Sequence, residues 1–256
     1  MRVKCLLAAT LVAVLSWGLL AGVAGTTPTQ EEFDEIVDRE MFKYMHGWDY
    51  RDAVNYWKKR GVTDEMFGKA YVKIARRTMN EPVGSDNKCS KAIDGIVEYC
   101  SGEMLLTNLL FLAEHTTYDR DRSYAIIKLA RNTKPEYFTA FAERVVASTN
   151  LDFHAAGALM SGLSESYEKI DPQNIVWKRR IIQTLRRHLE VGGKGSAIAD
   201  HALVRHDKTY AKSEFRRTMA ERLLDPQRSP LKGNEWIYRR QFEEELRSFL
   251  REGVKK

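Results

Sequence analysis

The stretch PQNIVWKRRIIQTLRRHLEV, residues 172–191, decides the fold class of this 256-residue chain. Ile175, Ile182, Leu185 and Leu189 recur at spacings of seven, three and four residues, which places them on one face of an α-helix. The same helical periodicity dominates the rest of the sequence. No segment combines alternating apolar and polar residues with hairpin turns, as β-strands require. The sequence therefore predicts an all-α fold.

Other segments with this periodicity predict further helices. The first begins at a capping-box sequence, in which Thr29 and Glu32 have the spacing needed to satisfy each other's backbone N–H groups. The run MLLTNLLFLA is apolar nearly all round, so we expect it to be the helix most enclosed by neighbours. The predicted helices cover residues 30–46, Tyr50–Arg60, the segment from Thr63 onward, Met104–Ala113, Arg120–Arg131, Pro135–Ser148, Asp152–Lys169, Pro172–Val191, Ser196–Arg205, Lys208–Leu224 and Asn234–Gly253.

Short turns between these helices predict stacked helical hairpins within a single domain of residues 26–256. The turn-forming segment NEPVGSDN, residues 80–87, divides a small N-terminal helical unit (29–79) from a main array (88–253). The unit Asp119–Val146, a helix, the turn Thr133-Lys134-Pro135 and a second helix, resembles a repeat of HEAT or armadillo α-solenoids. That resemblance implies a short, irregular solenoid. No repeated motif aligns between the hairpins, so an irregular globular helical array is the alternative explanation of the same pattern.

The first 25 residues are typical of a secretory signal peptide. Arg2 and Lys4 precede the apolar run Cys5–Leu20, and small residues follow up to Gly25, where we expect cleavage. The alternative is an uncleaved signal anchor, since about 20 apolar residues suffice to span a bilayer. Both interpretations predict export, to the periplasm or the extracellular space, or a tether at the membrane.

The composition predicts a globular helical protein with a weak charge preference for its partners. Loss of Arg2 and Lys4 on cleavage lowers the formal net charge from +6 to +4. Of three cysteines, Cys89 and Cys100 remain, and two thiols in an oxidising compartment predict one disulfide. A continuous helix from 89 to 100 would separate the Cα atoms by about 16 Å, so the disulfide requires a turn, with Gly95 as its candidate. Two buried free thiols are the alternative.

Asp200, His201, His206 and Asp207 form the densest group of metal-ligand and acid–base residue types in the chain. A metal pair on one helix needs ligands three or four residues apart, whereas His201 and His206 are five apart. The ordinary interpretation places Asp200 on an exposed helix face and Asp207 as the cap of the next helix. The sequence predicts no cofactor.

No metalloprotease, nucleophile-elbow, Walker or dinucleotide-binding motif occurs in the sequence. An enzyme therefore has to rely on isolated groups. A hydrolase of cell-wall glycans with a carboxylate on a helix, such as Glu114 or Glu165, is the enzymatic alternative. For both residues a solvated surface carboxylate is the simpler interpretation.

The region 171–217 is rich in lysine and arginine and predicts a basic stripe on its long helix. Arg179 and Arg186, and Arg180 and Arg187, are seven residues apart, so each pair lies on the same side two turns apart. Such a stripe binds an anionic polymer, a lipid surface or an acidic protein, or it simply pairs with neighbouring acids. Nucleic acid is a poor candidate for an exported protein without interspersed aromatic residues.

These features favour a non-enzymatic binding or scaffold protein of the cell envelope. The envelope hydrolase is the alternative. An enzyme should show a concave site with apolar walls and convergent polar groups, whereas a scaffold should show a broad groove or none. The partner is not identifiable from sequence; another envelope protein or an anionic surface or polymer are the candidates.

Overall fold

The computed structural model describes residues 27–39, 48–81, 88–147, 151–192, 194–225 and 236–252. The predicted signal peptide (1–25) and most of the predicted loop (80–87) lie outside these ranges. Within them the protein has 12 α-helices and no strand, and 83% of the residues are helical. The all-α prediction is confirmed, and the helix packing fits a multi-helix array.

The α-helices follow one another in the chain with short connections, and one 3₁₀-helix, Tyr210–Lys212, precedes α11. They are α1 (Gln30–Arg39), α2 (Trp48–Lys58), α3 (Asp64–Thr78), α4 (Lys88–Tyr99), α5 (Gly102–His115), α6 (Asp119–Asn132), α7 (Pro135–Ala147), α8 (Phe153–Lys169), α9 (Ile175–Val191), α10 (Ser196–His206), α11 (Glu214–Leu224) and α12 (Trp236–Glu252).

Two predicted boundaries are wrong for local reasons. Pro172 does not begin a helix: α9 starts after Asn174, whose side chain accepts a hydrogen bond from the backbone N–H of Trp177. The predicted helix 208–224 is split, because the Ser213 hydroxyl caps α11 by accepting from the backbone N–H of Arg216. The capping box is confirmed, since the N–H of Thr29 donates to Glu32 and the N–H of Glu32 donates to the Thr29 hydroxyl.

The chain divides into two units, Met1–Ala70 and Tyr71–Lys256. The first has an aromatic core in which the Phe33 ring meets the Phe67 and Trp57 rings edge-on, at centroid distances of 4.8 and 5.9 Å. Edge-to-face geometry suits aromatic rings because it sets the positive ring edge against the negative face. The predicted single domain, the subunit boundary at residues 80–87 and the solenoid resemblance stay predictions.

The second unit is organised around α8, which packs against α6, α7, α9 and α10. Small side chains permit this close packing. A Cβ at Gly162 would lie 2.5 Å from the Phe138 ring and 2.9 Å from the Cβ of Ala130. The N-cap of α10, Gly195, has φ of +87° and lies against the backbone of Ala156, a conformation that suits only glycine. The most enclosed helix is therefore α8, and the prediction for 104–113 is wrong.

The predicted disulfide is absent, because Cys89 and Cys100 lie at opposite ends of one unbroken helix. Cys89 is in the first turn of α4, and Cys100 directly follows its last residue. Both are buried free thiols. Burial raises the pKa of Cys89 to about 12 and that of Cys100 to about 11. The alternative, two free core thiols, is the one that the structure shows, and no turn occurs at Gly95.

Candidate functional site

Asp200 is fully buried, which contradicts its expected place on an exposed helix face. Its side chain is 2% exposed and receives hydrogen bonds from Arg216, at 3.3 Å to Oδ1 and 3.1 Å to Oδ2. The Tyr210 hydroxyl donates to Oδ1 at 2.5 Å. Burial, followed by the charge of Asp200, raises the pKa of Tyr210 and keeps its hydroxyl protonated. Arg216 also covers the ring of Phe249, 4.3 Å from its centroid.

Asp207 forms a second charge pair beside this one. Its Oδ2 accepts from Arg186 Nη2 at 2.6 Å, while Oδ1 accepts from the Thr209 hydroxyl and the backbone N–H groups of Thr209 and Tyr210. Burial opposes ionisation, but the hydrogen bonds from Thr209 and Arg186 together hold the pKa of Asp207 below its usual value. Asp207 was predicted to cap the next helix; instead it is the C-cap of α10 and accepts from backbone N–H groups at the start of the 3₁₀-helix, while Ser213 caps α11.

The residues Arg186, Asp200, Asp207, Tyr210 and Arg216 are called the Asp200 cluster below. It joins α9, α10, the 3₁₀-helix and α11 with two cations and two carboxylates, so its formal charge is balanced. One polar atom of the cluster is unsatisfied: the buried Nε of Arg186 has no hydrogen-bond partner among the described residues. Because carboxylate and guanidinium groups satisfy each other, the cluster is suited to holding helices together.

His201 and His206 serve different parts of the structure. The Nε2 of His201 lies 2.8 Å from a carboxylate oxygen of Glu245 on α12. The Nε2 of His206 lies 2.8 Å from the Ser164 hydroxyl on α8, and its ring stacks on Tyr167 at a centroid distance of 4.4 Å. Among the described residues, no group of three or more potential metal ligands occurs. The four residues predicted as a weak metal site thus have separate partners.

The predicted basic stripe is divided into paired and exposed arginines. Arg180 donates two hydrogen bonds to Glu143 on α7, and Arg186 pairs with Asp207. Arg179 and Arg187 are exposed and form no ion pair within the described ranges. The buried face of α9 also differs from the predicted one: it consists of Ile181, Thr184, Leu185, His188 and Leu189, while Ile175 is 62% exposed.

The candidate carboxylates of a glycan hydrolase form ion pairs between helices. Glu114 pairs with Arg144, and Glu165 lies 3.4 Å from Arg131. A glycosidase places two carboxyl groups across a substrate cleft, about 5–10 Å apart. Glu114 and Glu165 are each bound to an arginine, so the structure does not favour them as that pair.

An open groove of about 540 Å³ lies at the N-terminal end of α5. The lining includes Leu105 and Leu106 of α5 and Tyr137 of α7, a residue that is 53% exposed. We call it the α5 groove; its lining residues are Gly102, Glu103, Leu105, Leu106, Asn132, Thr133, Lys134 and Tyr137. Glu103 and Lys134 are its charged residues, one of each sign.

The α5 groove exists because the fold covers α5 on one side. The buried residues of α5 are Asn108, Leu109, Leu112 and Ala113, whereas Leu105, Leu106 and Leu110 remain partly exposed. The apolar residues on all sides of this helix predicted that it would be fully enclosed. In the structure, those that stay unburied instead form an apolar surface beside an open groove.

Comparison with known proteins adds no relative. No protein-family model matches the chain, and no curated protein or solved structure matches it. No described helix is both long and apolar enough to cross a bilayer. Function has to be inferred from the geometry of the chain itself.

Proposed function

We propose that the protein is an exported binding or scaffold protein that holds an apolar segment of another envelope protein in the α5 groove. The observation that supports this most directly is the incomplete cover of α5. Burying one leucine is worth about 1.5–3 kcal/mol, so partly exposed leucines beside a groove leave binding energy for a partner. The exposed ring of Tyr137 adds the residue type most often enriched in interfaces.

The chemistry of the α5 groove favours an apolar segment with few charges. Its lining has one acidic and one basic residue, so it offers no excess charge to an anionic polymer. Apolar anchors provide the affinity when a groove of this kind binds an extended or helical peptide. A hydrolase active on glycans remains the alternative, with neither candidate carboxylate favoured by its contacts.

Photocrosslinking from inside the α5 groove tests this proposal. A benzophenone amino acid replacing Tyr137 is expected to give one discrete adduct in living cells. The same amino acid replacing Ala147, which is exposed at the far end of the same helix, is the matched control and is expected to give none. The purified partner should bind wild-type protein and lose about tenfold in affinity for Leu106→Asp, while the neighbouring exposed change Thr107→Asp leaves binding intact.

Equal crosslinking from positions 137 and 147 would contradict a specific groove partner. An adduct within one chain would mean that the groove is covered by the protein's own sequence, which also contradicts the proposal. An identified partner that binds Leu106→Asp as well as wild type would place the interface elsewhere.

Export is a separate part of the proposal and has its own test. N-terminal sequencing of the protein recovered from the envelope should begin at or within a few residues of Thr26. Recovery from the membrane fraction with Met1 intact would instead support the uncleaved signal anchor.

A further inference from the structure

The pair formed by Ser164 and His206 combines a nucleophile with a base across two helices. The Ser164 hydroxyl on α8 and the His206 Nε2 at the end of α10 are 2.8 Å apart, within the range required for proton transfer. Both residues are partly exposed. The two residues are 42 positions apart, and the pair exists only in the folded chain.

Tyr167 fixes the imidazole ring from one side. Its ring stacks on His206 at 4.4 Å with an interplanar angle of 26°, and its hydroxyl donates to the His206 backbone carbonyl at 3.3 Å. In serine hydrolases a third group orients the base, so that its free nitrogen faces the nucleophile. Here aromatic stacking provides that orientation.

Charged groups from three helices surround the imidazole. Burial has the largest effect on the pKa of His206 and lowers it; Glu168 on α8 raises this pKa, and Arg205 on α10 and Lys178 on α9 lower it further. Glu168 is paired with Arg205 at 2.6 Å. Lys178 lies over the Tyr167 ring, 4.9 Å from its centroid, and has no carboxylate partner in the part of the chain that the structure describes.

We infer that Ser164 is a nucleophile that His206 activates for attack on carboxylic esters, an activity independent of the α5 groove. The Ser164 Oγ bonds to the ester carbonyl carbon while His206 Nε2 takes its proton. The bond from that carbon to the alkoxy oxygen then breaks, and the alcohol leaves with the proton from His206. Water then attacks the acyl carbon while His206 takes a proton from it. The bond from that carbon to Ser164 Oγ breaks, His206 returns the proton to Oγ, and the carboxylic acid is released.

Lys178 gives this site a preference among esters. Its ammonium group acts electrostatically on the imidazole and pairs with no described carboxylate, so it favours an acyl group that carries a negative charge. The paired charges of Glu168 and Arg205 cancel and contribute little to this preference.

Labelling of the full-length protein with a biotinylated fluorophosphonate tests the nucleophile. Peptide mapping should place the label on Ser164, and Ser164→Ala should abolish it. Ser161→Ala, a partly exposed serine one turn earlier on α8, is the matched control and should label like wild type. His206→Phe keeps an aromatic ring on Tyr167 but removes the base, and should slow labelling by about 100-fold.

The role of the imidazole has a readout that a structural role would not change. The labelling rate should rise with pH to a plateau, with a midpoint below the usual histidine pKa of about 6.5, and this step should vanish in His206→Phe. Far-UV circular dichroism verifies that the variants fold. If Ser164→Ala is unfolded, Ser164→Cys supplies the test, because its alkylation by iodoacetamide should then depend on His206.

Hydrolysis of nitrophenyl acetate and of the nitrophenyl monoester of succinate tests the preference. Lys178→Met should slow the anionic ester selectively. Labelling spread over other residues, equal rates for wild type and His206→Phe, or a wild-type protein that does not react would each overturn the inference. Loss of this activity leaves the groove proposal unaffected, because the two sites share no residue.

Discussion

The Asp200 cluster and the Ser164–His206 pair both depend on α10, yet they differ in burial and in charge balance. Asp200 is 2% exposed, and both of its oxygens accept hydrogen bonds from Arg216 or Tyr210. Ser164 and His206 are partly exposed, and within the described part of the chain no carboxylate forms a hydrogen bond with the His206 ring. A closed, neutral network stabilises the fold, whereas an open pair keeps reactive atoms accessible. Substitutions at the two sites should therefore differ in their effect on the free energy of unfolding.

The largest expected effect is the loss of the buried carboxylate. Asp200→Ala leaves Arg216 and the Tyr210 hydroxyl buried without their acceptor, and should lower the free energy of unfolding by about 3–5 kcal/mol. Urea denaturation followed by circular dichroism measures this. Glu221→Gln, an exposed change on α11, is the control and should stay within about 0.5 kcal/mol of wild type. Equal stabilities for the two variants would mean that the cluster does not hold the helices together.

A smaller loss is expected when only the phenol is removed. Tyr210→Phe keeps the buried ring but leaves Asp200 one donor short, which should cost about 1–3 kcal/mol. Tyr137→Phe removes a hydroxyl from a side chain that is 53% exposed, and should cost almost nothing. A cost for Tyr210→Phe as small as that for Tyr137→Phe would show that Arg216 alone satisfies Asp200.

As the pH falls, protonation should affect the Ser164–His206 pair before it affects the Asp200 cluster. Burial lowers the pKa of His206 and of His188 in the folded protein, so the unfolded state binds more protons between about pH 6.5 and the folded pKa values. Stability is therefore full above about pH 6.5 and falls as the pH decreases through that window. For His206 the loss should be below about 1 kcal/mol, because partly exposed charges are screened.

Urea denaturation at pH 7, 6 and 5 compares wild type with His206→Phe. The variant should lose less stability than wild type over this range, and the remaining loss belongs to His188, which is 4% exposed. Asp207, with its lowered pKa, stays ionised throughout. Identical losses in the two proteins would show that burial of His206 is not coupled to folding.

The smallest effect is expected on the exposed side of α9. Reversal of Arg179 and Arg187 to glutamate should change the free energy of unfolding by less than about 0.5 kcal/mol. Reversal of Arg180 and Arg186 should destabilise more, because Glu143 and Asp207 then face like charges.

If the exposed pair binds an anionic surface, wild type should be retained on heparin at low salt and Arg179→Glu/Arg187→Glu should not. Retention of both would contradict an anion site at these arginines.

Periodicity predicted the helices well because the buried face of a helix requires apolar residues at regular spacings in consecutive turns. Most boundaries agree within about three residues, and the capping box at Thr29 is correct. The predicted helix start at Pro172 is wrong because Asn174, two residues later, supplies the side-chain cap. The prediction that α5 is fully enclosed is wrong for a different reason. An apolar composition indicates that burial of a helix is favourable, but how much of it is buried depends on which helices pack against it.

The polar sites were less predictable because their partners are distant in sequence. Asp200 looked like a surface residue because Arg216 is 16 positions away, which no local pattern reveals. Ser164 carried no motif, and its partner His206 drew attention only through its neighbours. The sequence did identify the right segment, since three members of the Asp200 cluster were among the candidate residues. It could not assign them to one network.

The two thiols at the ends of α4 impose an order of events on a chain that folds in an oxidising compartment. In the unfolded chain Cys89 and Cys100 meet readily, because a loop of this length closes at a low entropic cost. A bond formed at that stage is incompatible with α4, which keeps the two residues about 16 Å apart. In an oxidising compartment the helix must therefore form before the thiols are oxidised. Once formed, it protects them, because burial suppresses the reactive thiolate.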